Sequence, residues 1–253
     1  MDLNLKDKVA LVTGGSRGIG TAICMELAAE GAKVVVNYNT NGEKAEQVVK
    51  DIKEKYGTDA IAVGANVANE SEVLDMYAKV VEKFSQVDIL VNNAAVCPVG
   101  PVREMALETW QQAMDVNLNG TFLCSREFVK QQLDNGLKGR VVNIVSQAAF
   151  RGSLSGKSPY DTSKGGMVSF NISLAREMAP HGIAVNAVAP GLVMTDMVAE
   201  LINKDSEKYL NRVPLHRIAE PKEIADVVLF LASERSSYMT GATVDVTGGM
   251  LMR

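Results

Sequence analysis

Short, continuously apolar, β-branched runs alternate with longer stretches of helical periodicity along the whole chain, and few folds accept that pattern. The run Val9 to Thr13 (VALVT) reads as a strand, a helix follows from Gly18 to Glu30, and KVVVNY is the second strand. The alternation continues with a helix over Glu43 to Tyr56, the strand DAIAVGANV, a helix over Ser71 to Phe84 and the strand DILVNNA. A long helical region from Leu107 to Leu133 precedes GRVVNIVS, and a helix beginning near Tyr160 precedes IAVNAVAP. PKEIADVVLFLAS then precedes the last strand, ATVDVTGG. Strands that are apolar on both faces, separated by amphipathic helices, imply a parallel sheet covered on both sides. Right-handed crossovers make this an α/β doubly wound sheet of about seven strands, with ligands expected at the strands' carboxyl ends.

No composition break, repeat or low-complexity tract divides the 253 residues, a length that one domain accommodates. The stretch from Gly191 to Leu215 departs from strict alternation. It is long and lacks a clear strand, which suits a lid over a ligand. A net charge of -4 gives no reason to expect nucleic acid or an anionic membrane as partner. No apolar run approaches the roughly 20 residues of a bilayer span, and the N-terminus lacks the basic and apolar regions of a secretion signal. Cys24, Cys97 and Cys124 are an odd number at wide spacings, so a reducing, cytoplasmic setting is expected rather than a disulfide framework. The two histidines, His181 and His216, form no metal-ligand spacing with them, and no metal is expected.

TGGSRGIG, Thr13 to Gly20, joins the first strand to the first helix. Gly14, Gly18 and Gly20 allow a tight turn and a close backbone approach to a pyrophosphate, which the N–H groups and dipole of the helix start would hold. Alone the motif is weak, since such glycines serve turns as well. At the first strand–helix junction of an alternating chain it points to a Rossmann-type dinucleotide site. A carboxylate at the end of the second strand would favour NAD, whereas its absence beside a cation favours the 2′-phosphate of NADP. Asn37 stands where that carboxylate is sought, and Arg17 supplies positive charge, although an exposed helix-start arginine is the plainer reading. NADP is therefore the expected cofactor, with use of NAD left open.

Tyr160 and Lys164, four residues apart, share one helical face. Ser146 ends the strand before them, Asn117 lies in the preceding helical region, and NNAA (Asn92 to Ala95) ends the fourth strand; all belong to the carboxyl edge of the sheet. Together with PGLVMT, these motifs resemble the short-chain dehydrogenase/reductase family over essentially the full chain. The resemblance implies that Tyr160 is the general acid or base at a carbonyl or alcohol oxygen, and that Ser146 positions that oxygen. Lys164 would bind the nicotinamide ribose and lower the tyrosine pKa, and Asn117 would hold a water linking Lys164 to solvent. It further assigns Ser16, Ile19, Asn66, Val67, Asn92, Ala94, Pro190, Gly191, Val193 and Thr195 to the cofactor, beside the glycine loop, Tyr160 and Lys164. Val96, Cys97 and Gln147 join Ser146 and Tyr160 at the substrate. Asn66 replaces a frequent Asp and Ala95 a usual Gly. Thr195 also suits a helix N-cap.

The ending TGATVDVTGGMLM, the stretch NAVAPGLVMTDM and SLAREMAPHGI resemble bacterial 3-oxoacyl-acyl-carrier-protein reductases, and Arg176 suits a basic patch for an acidic carrier. Leu137 stands where a basic carrier-binding residue is expected, with Lys138 and Arg140 close by. VVVNYNTNGEKAEQV resembles dual-cofactor sugar dehydrogenases, and FRGSLSGKSPY resembles hydroxysteroid dehydrogenases. A catalytically silent nucleotide-binding scaffold on the same fold is the alternative of another class, opposed by the presence of Ser146, Tyr160 and Lys164 together. The family resemblance implies a homotetramer, and the terminal GGMLMR is apolar enough to pack against a neighbouring subunit near the active site.

Overall fold

Seven strands form one parallel sheet in the order β3-β2-β1-β4-β5-β6-β7 in the computed structural model, which describes residues 2–153, 156–195, 198–199 and 205–253. The strands are β1 (Val9–Val12), β2 (Lys33–Tyr38), β3 (Ala60–Gly64), β4 (Ile89–Asn92), β5 (Gly139–Ile144), β6 (Ile183–Pro190) and β7 (Thr243–Val246). The helices between them are α1 (Gly18–Ala29), α2 (Gly42–Tyr56), α3 (Glu70–Phe84), α4 (Leu107–Ala113), α5 (Gly120–Asp134), α6 (Ala148–Arg151), α7 (Ser158–Met178), α8 (Ser206–Leu210) and α9 (Pro221–Ala232). The strand order reverses between β1 and β4, both of which pair in parallel with their neighbours. Such a switch point opens a crevice at the carboxyl ends of the strands.

Strand side chains alternate between two cores, as a pleated chain requires. Ala10, Val12, Val34 and Val36 pack with Ile23 and Leu27 of α1, Ile52 of α2 and Ile224 and Val228 of α9. Val9, Leu11 and Val35 face the other way, toward Met76 of α3, Phe128 of α5 and Met178 of α7. The helix ends follow local chemistry. Asn69 caps α3 by accepting from the Ser71 N–H, Glu220 and Glu223 form a reciprocal capping box on α9, and Gly57 closes α2 in the left-handed region at φ 66°.

The long helical region expected from Leu107 to Leu133 is interrupted. Met114–Asn119 is a π-helical turn between α4 and α5, the kind of local widening that re-aims one side chain without ending a helix. The proposed lid over 191–215 lies partly outside the described residues, at 196, 197 and 200–204. Within the described part, Val193 bridges to Ala219, and α8 is a single short turn.

Candidate active site and cofactor crevice

The glycine loop leaves β1 and is fixed from three sides. The Thr13 hydroxyl accepts from the Asn93 and Ala94 N–H groups at 2.9 and 3.1 Å, and the Asn93 amide donates to the Thr13 and Gly14 carbonyls at 2.9 and 3.0 Å. Gly14 stands at φ 64°, with the Cα of Ala94 2.9 Å from where a Cβ would be; at Gly20 a Cβ would lie 2.2 Å from the Gly14 carbonyl oxygen. No larger residue fits either place. At the start of α1, Arg17 is exposed and makes no capping bond with its side chain, and the first turn carries no acidic residue. The helix start therefore offers its N–H groups and positive dipole end to a phosphate. Ser16 and Ile19 are half-buried in this turn, and the Thr195 methyl would lie 3.3 Å from a Cβ on Gly18, so the segment after β6 meets the loop. A bare backbone at Gly14 and Gly20 beside this free helix start fits the pyrophosphate of a dinucleotide, which Gly14, Ser16, Arg17, Gly18, Ile19 and Gly20 would surround.

Asn37 is not on the crevice surface. It is 1% exposed, and its amide donates to the Ala65 and Val63 carbonyls at 3.0 and 3.3 Å while its oxygen accepts from the Gly14 N–H at 3.3 Å. The strand alternation turns Asn37 inward, where it ties the glycine loop to β2 and β3. The next residues, Tyr38, Asn39 and Thr40, are the ones toward solvent, and the Tyr38 ring lies against Gly42 and Gly64. Asn66 makes a local turn, accepting from the Ala68 N–H at 3.1 Å, while Val67 is buried against Gly120. Asn92 also points into the protein. It donates to Ser125 at 3.0 Å and to Asn143 at 2.9 Å, and Asn143 donates onward to Asn171 at 3.0 Å. Its neighbour Asn93 is the residue that touches the glycine loop. Sequence reading passed over both Thr13 and Asn93, although the second asparagine of NNAA was open to inspection.

At the other half of the crevice, Ser146 follows β5; its hydroxyl accepts from the Ala148 N–H at 3.1 Å and lies near the Tyr160 phenol. Lys164, one turn along α7, is 2% exposed; its ammonium donates to the Ile144 carbonyl at 2.6 Å and lies 5.7 Å from the Tyr160 ring centre. Burial pushes the Tyr160 phenol up to about 12, with nearby Ser146 opposing it, and pulls Lys164 down to about 7. In the protein alone, desolvation is the largest contribution at Tyr160 and keeps the phenol protonated. A protonated phenol beside an amine that titrates near neutrality is an acid with a nearby proton source.

Asn117, in the π-helical turn, accepts from the Val96 N–H at 2.8 Å and donates to the Val96 carbonyl and the Ser163 hydroxyl, both at 2.9 Å. Ser163 in turn donates to the Tyr160 carbonyl at 2.8 Å. Asn117 therefore locks the loop segment at Val96, after β4, to the turn that carries Tyr160; no hydrogen bond joins it to Lys164 among the described residues. Cys97 is half-buried near Lys164 and Asp161, and its thiol is raised by burial. Past β6, the Pro190 carbonyl accepts from the Gln147 N–H at 3.1 Å, and Gly191 passes so close to Thr247 that a Cβ would be 2.8 Å from its Cα. Val193 is buried, and the Thr195 carbonyl accepts from Val198 and Ala199, as an N-cap does. The terminal residues fold back on their own chain. Arg151 donates to the Met250 carbonyl at 2.9 Å, and Arg253 stacks 3.6 Å from the Phe150 ring while pairing with Asp245. A cavity of 460 Å³ lies on the tail's flank, among Leu192, Val213, Leu215, Leu251 and Met252, away from Tyr160.

A family model described as enoyl-(acyl carrier protein) reductase matches residues 14–251. The 3-oxoacyl-[acyl-carrier-protein] reductase FabG of Aquifex aeolicus is 41% identical over 99% of this chain and its own full length. The 3-oxoacyl-[acyl-carrier-protein] reductase of Synechocystis is 44% identical over 98% of each chain. Among solved structures, a short-chain type dehydrogenase/reductase from Mycobacterium marinum superposes with a TM-score of 0.95 at 31% identity, covering 100% of this chain and 98% of that one. With a glycine loop at the switch point and Ser146, Tyr160 and Lys164 gathered across the crevice from it, the chain belongs to the short-chain dehydrogenase/reductase family, as a nicotinamide-dependent oxidoreductase acting between carbonyl and alcohol.

Proposed function

We propose that the protein reduces 3-oxoacyl thioesters to 3-hydroxyacyl thioesters with NADPH, while the acyl group stays attached to an acyl-carrier protein. The observation that carries the reading is the grouping of Ser146 with the Tyr160 phenol, one helical turn from buried Lys164. Two neighbouring hydroxyls suit an oxygen on the reacting carbon. Bound nicotinamide supplies the hydride. As negative charge develops on the substrate oxygen, Tyr160 gives it a proton, and Ser146 holds the oxygen in place. Tyr160, held protonated by burial up to about 12, is in the right state for reduction at neutral pH. Lys164, drawn to about 7, replaces the lost proton. Asn117 and Ser163 keep Tyr160 and the Val96 segment in register throughout.

The preference for NADPH rests on exposed Arg17 and on the absence of a carboxylate after β2, where Tyr38, Asn39 and Thr40 stand. Exposed Lys138 and Arg176 support carrier-protein docking, whereas Arg140 is engaged with Glu234 at 3.3 Å. Half-exposed Phe122 and Ile172, on α5 and α7, support association into a tetramer. The test compares NADPH consumption on acetoacetyl groups carried by acyl-carrier protein and by a short soluble thiol. The carrier-linked substrate is expected to show the lower KM, and Arg176→Glu to raise that KM alone. Equal KM values for both substrates, unmoved by the substitution, overturn the carrier-protein role.

A further inference from the structure

Gln147 directly follows Ser146 and is only 9% exposed, yet its side chain is almost unspent. Its Oε1 is buried without a hydrogen-bond partner among the described residues, and its Nε2 faces only the Met250 sulfur at 3.6 Å. A thioether is a weak acceptor, so neither end of the amide makes an ordinary hydrogen bond. Buried amides are normally satisfied, and one that is not calls for a reason outside the fold. The backbone shows that Gln147 is firmly placed, since its N–H donates to the Pro190 carbonyl at 3.1 Å. The segment after it is clamped as well, with Arg151 on the Met250 carbonyl and Arg253 stacked on Phe150. The terminal tail thus shields an unsatisfied amide one residue from the serine that lies near Tyr160.

We propose that the Gln147 amide is a substrate-recognition group, which hydrogen-bonds a second oxygen carried within two carbons of the reacting ketone, with Met250 covering the amide until that oxygen arrives. The proposal rests on the assignment of Ser146 and Tyr160 to the reacting oxygen. For a 3-oxoacyl thioester the second oxygen is the thioester carbonyl, which accepts from Nε2. A site that presents a buried amide discriminates strongly against substrates that leave it unpaired. The amide would therefore distinguish a 3-oxoacyl thioester from a plain ketone of the same shape.

The experiment measures kcat/KM at saturating NADPH for the parent and for Gln147→Met, which keeps the volume and removes the amide. Three ketones are compared: an acetoacetyl thioester, an α-hydroxyketone, and a methyl ketone in which a CH₂ replaces the thioester carbonyl. The expected result is a fall of roughly 10–100-fold on substrates with a second oxygen and a change below about threefold on the plain ketone. A fall of equal size on all three, or none on any, overturns the role of Gln147. If the parent ignores the thioester, the 3-oxoacyl reading fails, while the ratio of hydroxyketone to plain ketone still decides Gln147. NADPH titration of each protein checks that the crevice is intact. Met250→Ala, which leaves the amide in place, is expected to keep the parent's discrimination between the ketones, and its loss there contradicts the proposal.

Discussion

Replacing Asn37 by aspartate is the substitution that a cofactor-switching experiment would try first, and the structure expects it to damage the fold instead. The Asn37 amide nitrogen lies closest to two carbonyl oxygens, of Ala65 at 3.0 Å and Val63 at 3.3 Å, with that of Tyr38 at 3.4 Å, and the residue is buried. An ionised carboxylate there would oppose both oxygens without solvent, so the folded protein keeps the introduced carboxyl protonated. Its unfolded pKa is about 3.9, which at pH 7 makes the proton's retention cost roughly 4 kcal/mol. One proton serves only one carbonyl, and the lost hydrogen bond adds about 1 kcal/mol. The sum, about 5 kcal/mol, is comparable with the whole stability of many domains. The sign with pH follows from linkage. The folded form holds a proton that the unfolded form has released, so stability falls as pH rises above about 4. At pH 5 the ionisation part shrinks to roughly 1.5 kcal/mol. Urea denaturation of the parent and Asn37→Asp at pH 5, 6 and 7 measures this directly. Variant stability within about 1 kcal/mol of the parent at every pH would refute the inward placement of Asn37.

Tyr160→Phe removes the proton donor and leaves the glycine loop alone. It is expected to lower kcat/KM by about 10²–10⁴ while the NADPH dissociation constant, read by fluorescence titration, changes less than threefold. Retained turnover assigns the proton to another group. Lys164→Met removes an amine that burial holds near 7, below its ordinary 10.5. The unfolded form then binds a proton that the folded form lacks between those values, so this residue weakens the parent most below pH 7 and least near pH 10. The variant should be inactive, and its urea midpoint relative to the parent should be higher at pH 6 than at pH 10; equal differences at both pH values contradict the neutral, buried amine.

Much of the architecture was legible because β-branched runs such as KVVVNY and RVVNIV leave a chain few options but buried parallel strands. The grouping of Ser146, Tyr160 and Lys164 was legible because their spacing survives folding: Tyr160 and Lys164 share a helix, and Ser146 closely follows the end of β5. What escaped was set by direction rather than by position. Asn37 and Asn92 sit at the strand ends where cofactor contacts were sought, but the pleat turns both side chains into the protein and leaves Tyr38, Asn39 and Asn93 outside. The π-helical turn at Asn117 has no period of its own in MDVNLN, so a continuous helix was the natural reading. The raised Tyr160 depends on burial by segments far apart in sequence, which spacing does not report. The same holds for the tail: GGMLMR reads as apolar, and only the folded chain brings Met250 to Gln147 and Arg253 to Phe150.

The measurement closest to the central reading follows a label. NADPH carrying deuterium at the transferable position of the nicotinamide is supplied with an acetoacetyl thioester, beside a matched 2-enoyl thioester, and the products are examined by mass spectrometry. A 3-hydroxybutyryl thioester with one deuterium on the carbon that bears the hydroxyl, and an untouched enoyl thioester, is the expected outcome. Unlabelled hydroxy product, or reduction of the enoyl thioester while the ketone remains, would contradict the assignment of Ser146 and Tyr160 to a ketone oxygen.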